Sequence, residues 1–174
     1  MPAKHGNTRN TVKKLCIYSL LCAVCMIIGY VESLLDLSFI APGIKLGLSN
    51  SIACVLVFSG DIKGAFAVNI SRILLSALLF GSPVSLCFSL AGGLVSLIVM
   101  ALLRKCPALS VIGISALGGA IHNAAQCAVG FIFVGIGVIY YLPVLLVAGI
   151  ICGGAVGFLS KLVLNRLKKD GKYV

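Results

Sequence analysis

The sequence predicts an all-α, polytopic membrane protein, folded as one bundle of six transmembrane helices. Three observations predict it. Hydrophobic residues make up 60% of the chain and charged residues 10%, with a mean hydropathy of +1.17, far from the balance of a soluble domain. Apolar runs of membrane-spanning length recur along the 174 residues, and no polar segment between them is long enough to fold by itself. Basic residues gather at every second connection, as they do on the cytoplasmic side of a membrane.

A span needs about 20 apolar residues at about 1.5 Å of rise each. Helix 1 is expected over 15–35 and helix 2 over 42–58, where Pro42 suits a first helical position. The turn Ser59-Gly60-Asp61-Ile62-Lys63 follows, and helix 3 then runs to Phe80, where Gly81-Ser82-Pro83 breaks it. Helix 4 takes 84–103 and stops at Arg104-Lys105-Cys106-Pro107. Helix 5 takes 109–133, 135–141 make a short outer connection, and helix 6 takes 142–167. The chain thus divides into a basic N-terminus (1–14), a membrane domain (15–167) and a basic C-terminus (168–174).

Six crossings put both termini on one side, and charge says which. Lys4, Arg9, Lys13 and Lys14 precede helix 1, Lys63 follows helix 2, Arg104 and Lys105 follow helix 4, and Lys161, Arg166, Lys168, Lys169 and Lys172 close the chain. Only Lys45 and Arg72 fall elsewhere. The expected location is the bacterial cytoplasmic membrane with both termini cytoplasmic. The net charge of +10 therefore reads as topology, with anionic lipid as a contact of the basic ends and no nucleic-acid partner. A cleaved signal peptide does not fit the first 35 residues, because the apolar run is span length and no Ala-x-Ala site follows it.

The eight cysteines are dispersed among apolar helices and read as small apolar fillers. Cys22-Ala23-Val24-Cys25 has CxxC spacing but lies inside a span without a second pair, so no metal and no cofactor is expected. Glycine and other small residues mark packing faces. Gly149, Gly153 and Gly157 form one on helix 6, Ala116, Ala120, Ala124 and Ala128 a ladder on helix 5, and Ser19 and Ala23 a shorter face on helix 1, internal or presented to a partner.

Polar residues inside spans are the candidates for function, since each is costly there without a partner or a task. In "GGAIHNAAQCA", residues 118–128, helical spacing puts Ser115, His122 and Gln126 on one stripe, with Asn123 beside it and the alanine ladder nearly opposite. Arg72 lies nine residues beyond Lys63, about 14 Å into helix 3, with Asn69 and Ser76 on its face. The only acid at membrane level is Glu32. "APGIKLGLSN", residues 41–50, adds Lys45 and Asn50 at a helix start that welcomes an anion. The candidate ligand-binding set is therefore Glu32, Lys45, Asn50, Asn69, Arg72, His122, Asn123 and Gln126. A purely structural role stays open for several: His122 and Gln126 as hydrogen-bonding partners of neighbouring helices, Arg72 paired with Glu32, Lys45 snorkelling to headgroups.

Taken together, "PGIKLGLSN", Arg72 followed by "FGSP", "SLAGGLVSLIVMALL", "GISALGGAIHNAAQ" and "YYLPVLLVAGIICGGAVG" resemble the family known as heptaprenyl diphosphate synthase component I, or the Gx transporter family. That family in turn looks like the substrate-binding S components of energy-coupling factor (ECF) transporters. The resemblance implies six helices, capture of a vitamin-sized ligand, and docking on a transmembrane coupling subunit and ATPases. Ser19 and Ala23 match the alanine-x-x-x-alanine docking face of those proteins only loosely.

The enzyme in the family's name can be tested on chemistry. Joining prenyl diphosphates needs Asp-rich motifs to hold Mg²⁺, and this chain has only Glu32, Asp36, Asp61 and Asp170, scattered and without a DDxxD. It also has no glycine-rich phosphate loop. The expectation is a chain with no catalytic residues, not itself an enzyme. Two functions follow: a ligand-capturing transport subunit energised by partners, or an accessory membrane subunit of quinone or prenyl diphosphate metabolism or of flavin-linked electron transfer.

Overall fold

The computed structural model describes residues 4–34, 49–80 and 83–169, and everything it describes as regular structure is helical. In order, α1 is Lys4–Leu34, α2 Asn50–Phe58, α3 Ile62–Phe80, α4 Pro83–Leu103, α5 Val111–Val134 and α6 Leu142–Lys169, with a 3₁₀ turn over Ile136–Tyr141 before α6. Five of these, α1 and α3 to α6, are long and apolar enough to cross a membrane. The described part of α2 is shorter, nine residues or about 14 Å, and the expected first half of helix 2 lies outside the described residues.

Local chemistry sets the boundaries. Gly60 has a φ of 96°, the left-handed conformation that lets α2 turn sharply into α3. Asp61 then caps α3 by accepting a 3.0 Å hydrogen bond from the Gly64 amide. Pro83 opens α4, where its missing N–H does no harm. α5 starts at Val111, two residues later than the apolar run suggests, because Ser110 is extended and its hydroxyl accepts from the Gly113 amide at 3.1 Å. Gly135, with φ 91°, ends it. α1 starts well before its apolar run, at Lys4, so its 31 residues extend about 46 Å, past a hydrocarbon core of about 30 Å.

α5 and α6 form the tightest pair, because glycine lets their backbones touch. A Cβ on Gly119 would run into the Gly149 carbonyl, one on Gly153 into the Ser115 carbonyl, and one on Gly157 into Ile112 and the Ser115 side chain. The α5 surface that meets α6 is therefore the row Ile112, Ser115, Ala116, Gly119 and Asn123. The alanine ladder is not that surface: Ala116 takes part, but Ala128 is exposed. The close-packed and polar faces of α5 thus overlap, since glycine admits a closer neighbour than alanine does.

α1 is peripheral. Leu15, Leu20, Ile27 and Leu34 are 64 to 66% exposed along it, as suits side chains that face lipid, and Ser19 and Ala23 are exposed too. One polar tie to the bundle is the Tyr18 hydroxyl, which donates to Asp61 Oδ2 at 2.5 Å. Arg104, after α4, donates to the Val57 carbonyl at the end of α2. Between the helices, Cys25, Cys54, Val57, Ala65, Val68, Leu97 and Ile114 make an almost fully buried core. All eight cysteines are free thiols, and the buried ones fill space in this packing.

Candidate functional site

One polar layer crosses the bundle at mid-depth. Asn50 lies eight residues before the end of α2, Arg72 ten residues into α3 and His122 eleven into α5, so all three stand roughly 12 to 17 Å from the same end of the bundle. Hydrogen bonds and close contacts join the layer from helix to helix. Arg72 donates through Nη1 to Ser49 Oγ at 2.9 Å, and through Nη2 to Asn50 Oδ1 at 3.0 Å and Asn69 Oδ1 at 2.9 Å. Asn69 is itself held, its Nδ2 donating to the Gly93 carbonyl at 3.1 Å. On the next glycine, Gly92, lies the imidazole of His122: a Cβ there would sit 2.8 to 2.9 Å from three ring atoms. Asn123 closes the layer on α6 by donating to the Leu145 carbonyl at 2.7 Å.

Beside this layer, between α2, α4, α5 and α6, is a recess of about 410 Å³ counting its open mouth. Asn50, Ser96, Ser115, His122 and Asn123 supply its polar lining, Met100, Cys152 and Val156 its apolar one, and Gly118, Gly119, Gly149 and Gly153 the rest. Its enclosed part has room for a few water-sized groups, so it fits the polar end of a molecule and not a whole vitamin. Two hydroxyls are partly committed: Ser96 donates to the Gly93 carbonyl at 3.3 Å, and Ser115 Oγ lies 3.7 Å from the Cys54 thiol that donates to it.

The candidate residues fall into four groups. Asn50, His122 and Asn123 line the recess. Arg72 and Asn69 stand behind Asn50, outside the lining, and the guanidinium fork is occupied by side chains of the protein. Gln126 is buried one turn beyond His122 and is not part of the lining. Lys45 and the Glu32 side chain lie outside the described residues. Gly149 and Gly153 serve both the α5–α6 contact and the recess wall. Ser96, Met100, Cys152 and the Gly92 platform were not singled out in the sequence. The Gly92-Gly93 pair was the available signal, two adjacent glycines in the middle of a span.

Among the described residues no cluster of His, Cys, Asp or Glu is placed to hold a metal ion. The chemistry on offer is hydrogen bonding. The family model for heptaprenyl diphosphate synthase component I matches residues 21–163, which include the whole described layer. The chain belongs to this family. No curated protein and no solved structure gave a match. The family's description is of one component of a synthase, in keeping with a chain whose four scattered acids do not make a Mg²⁺-diphosphate site.

Proposed function

We propose that the protein is a non-catalytic, ligand-capturing membrane subunit, resembling an S component, that takes up a small molecule and depends on a coupling subunit and ATPases for energy. The observation that supports this best is the recess: side chains able to donate and accept hydrogen bonds, fixed at mid-depth in the bundle by bonds to backbone carbonyls and to Arg72, beside unfilled space. Unfilled space with a few convergent polar groups on its wall is the usual form of a small-molecule site. With Arg72 donating to the Asn50 oxygen behind it, the recess favours a ligand with an anionic or electron-rich group at the end that enters.

A second reading has its own support in the family description, which names a synthase component: an accessory subunit that holds or presents a prenyl diphosphate to a soluble, Asp-rich partner component. Native mass spectrometry of the gently solubilised protein separates the two. Uptake predicts a retained water-soluble small molecule and association with membrane and ATPase subunits. The accessory reading predicts a retained isoprenoid and association with a prenyl synthase. A wild-type protein that retains nothing and binds neither set of partners would overturn both.

A further inference from the structure

Asn50 is where the positive charge of α3 reaches the recess. Arg72 does not line the space itself, and its Nη2 is bonded to the Oδ1 of Asn50 at 3.0 Å. That bond fixes which way round the Asn50 amide sits, because a guanidinium has no acceptor and can face only the oxygen. The amide nitrogen is therefore the end left for the recess that Asn50 lines, and a cation on its oxygen makes its N–H groups stronger donors. On α5, Asn123 is fixed in the opposite sense. Its nitrogen donates to the Leu145 carbonyl at 2.7 Å, so its oxygen is the end that remains for the recess.

We infer that Asn50 is a specificity-determining residue of the recess: its amide N–H, oriented and polarised by Arg72, binds an acceptor oxygen of the ligand, while Asn123 accepts from a donor on the same ligand. The inference rests on the ligand-binding reading above. The ligand end it selects is amide-like, a carbonyl oxygen with an N–H beside it, and a group that carries donors alone is refused at Asn50. Arg72 acts through Asn50 as a positioning residue. Three neutral acceptors already take its fork, Ser49, Asn50 and Asn69, so direct bidentate capture of an anion would require breaking those bonds.

Asn50→Asp separates the roles of this side chain. Aspartate has the same shape, keeps and strengthens the acceptor for Arg72, and replaces the donor facing the recess with a second acceptor. The test uses the detergent-solubilised protein with ¹⁵N-labelled asparagine side chains and acetamide as the probe, followed by NMR. In the wild type, the Asn50 amide pair, assigned by its loss in Asn50→Asp, should shift saturably as acetamide is added. In Asn50→Asp the response of the Asn123 pair to acetamide should weaken about tenfold or more, the scale of one lost hydrogen bond facing a mismatched acceptor, while thermal stability stays equal or rises. If the Asn123 pair responds equally in wild type and variant, or if it responds in wild type while the Asn50 pair does not, the assignment to Asn50 is overturned and the binding recess stands. If neither pair responds in the wild type, the ligand-binding reading fails with it. Should Asn50→Asp not fold, the Asn50 pair is assigned by its loss in Asn50→Ser instead, and the wild-type titration decides, because it reads the Asn50 donor directly.

Discussion

Gly92 is part of the site although it carries no side chain. The His122 ring occupies the space where its Cβ would be, with three ring atoms within 2.9 Å of that point. Gly92→Ala should therefore tilt the imidazole out of the layer or force α4 away from α5, at a cost of about 1–3 kcal/mol typical of overpacking. A lowered thermal midpoint in detergent, together with a displaced His122 ring signal by NMR, is the expected result. Arg72 gives a second residue-scale prediction. Its two terminal nitrogens serve three acceptors in different directions, and a lysine ammonium on a flexible stem cannot hold all of them. Arg72→Lys should leave at least one of Ser49, Asn50 and Asn69 without its donor, destabilising the fold by about 1–3 kcal/mol. Thermal unfolding checks this directly. An unchanged midpoint would mean that the three bonds contribute little and that charge alone matters at this position.

At the scale of helices, two glycines adjacent in sequence have opposite roles. A Cβ on Gly153 would strike the Ser115 carbonyl and sit 3.0 Å from Ala116 Cα, whereas one on Gly154 would meet nothing within 4 Å. Gly153→Ala should separate α6 from α5 and lower stability by about 1–3 kcal/mol, because backbone cannot swing aside as a side chain can. Gly154→Ala should be neutral or slightly stabilising, since it adds helix propensity without a clash. Equal midpoints for the two variants would refute the packing seen between α5 and α6. The GxxxGxxxG spacing was readable in the sequence because three glycines a turn apart share one face. Its partner surface was not, since the Ala116, Ala120, Ala124 and Ala128 ladder is as regular a pattern as the Ser115, Gly119 and Asn123 row that α6 meets. Helix ends show the same contrast. Gly60, Asp61 and Pro83 announce themselves by backbone chemistry, but hydropathy does not register that α1 continues as helix through polar residues back to Lys4. For the site, polarity within spans pointed to Asn50, Arg72, His122 and Asn123. Whether a side chain faces a recess, as Asn50 does, or stands behind it, as Arg72 does, depends on how neighbouring helices are rotated, and no single helix records that.

At the scale of the whole molecule, charge gathers at one end of the bundle and most of the exposed aromatic residues at the other. Tyr18 bonded to Asp61, Arg104 bonded to the end of α2, and Gly157 packed on Ile112 bring the middle of α1, the α2–α3 turn, the α4–α5 connection and the second half of α6 together. Lys13, Lys14, Lys63, Lys105, Lys161, Arg166, Lys168 and Lys169 are all exposed at or near that end. At the other end are the exposed aromatics Phe131, Phe133, Tyr140 and Tyr141, the type of residue enriched at a membrane interface. On the positive-inside bias we expect the basic end to face the cytoplasm, where the ATPases of the transport reading would have to reach it. With the eight native cysteines replaced, single cysteines at Lys105 and Lys169 should resist a membrane-impermeant maleimide in intact cells and react after permeabilisation. One at Tyr140, which is 80% exposed, should react in both. The reverse pattern would turn the basic end outward, leave cytoplasmic ATPases nothing to dock on there, and remove the transport reading while leaving the recess and its hydrogen bonds as they are.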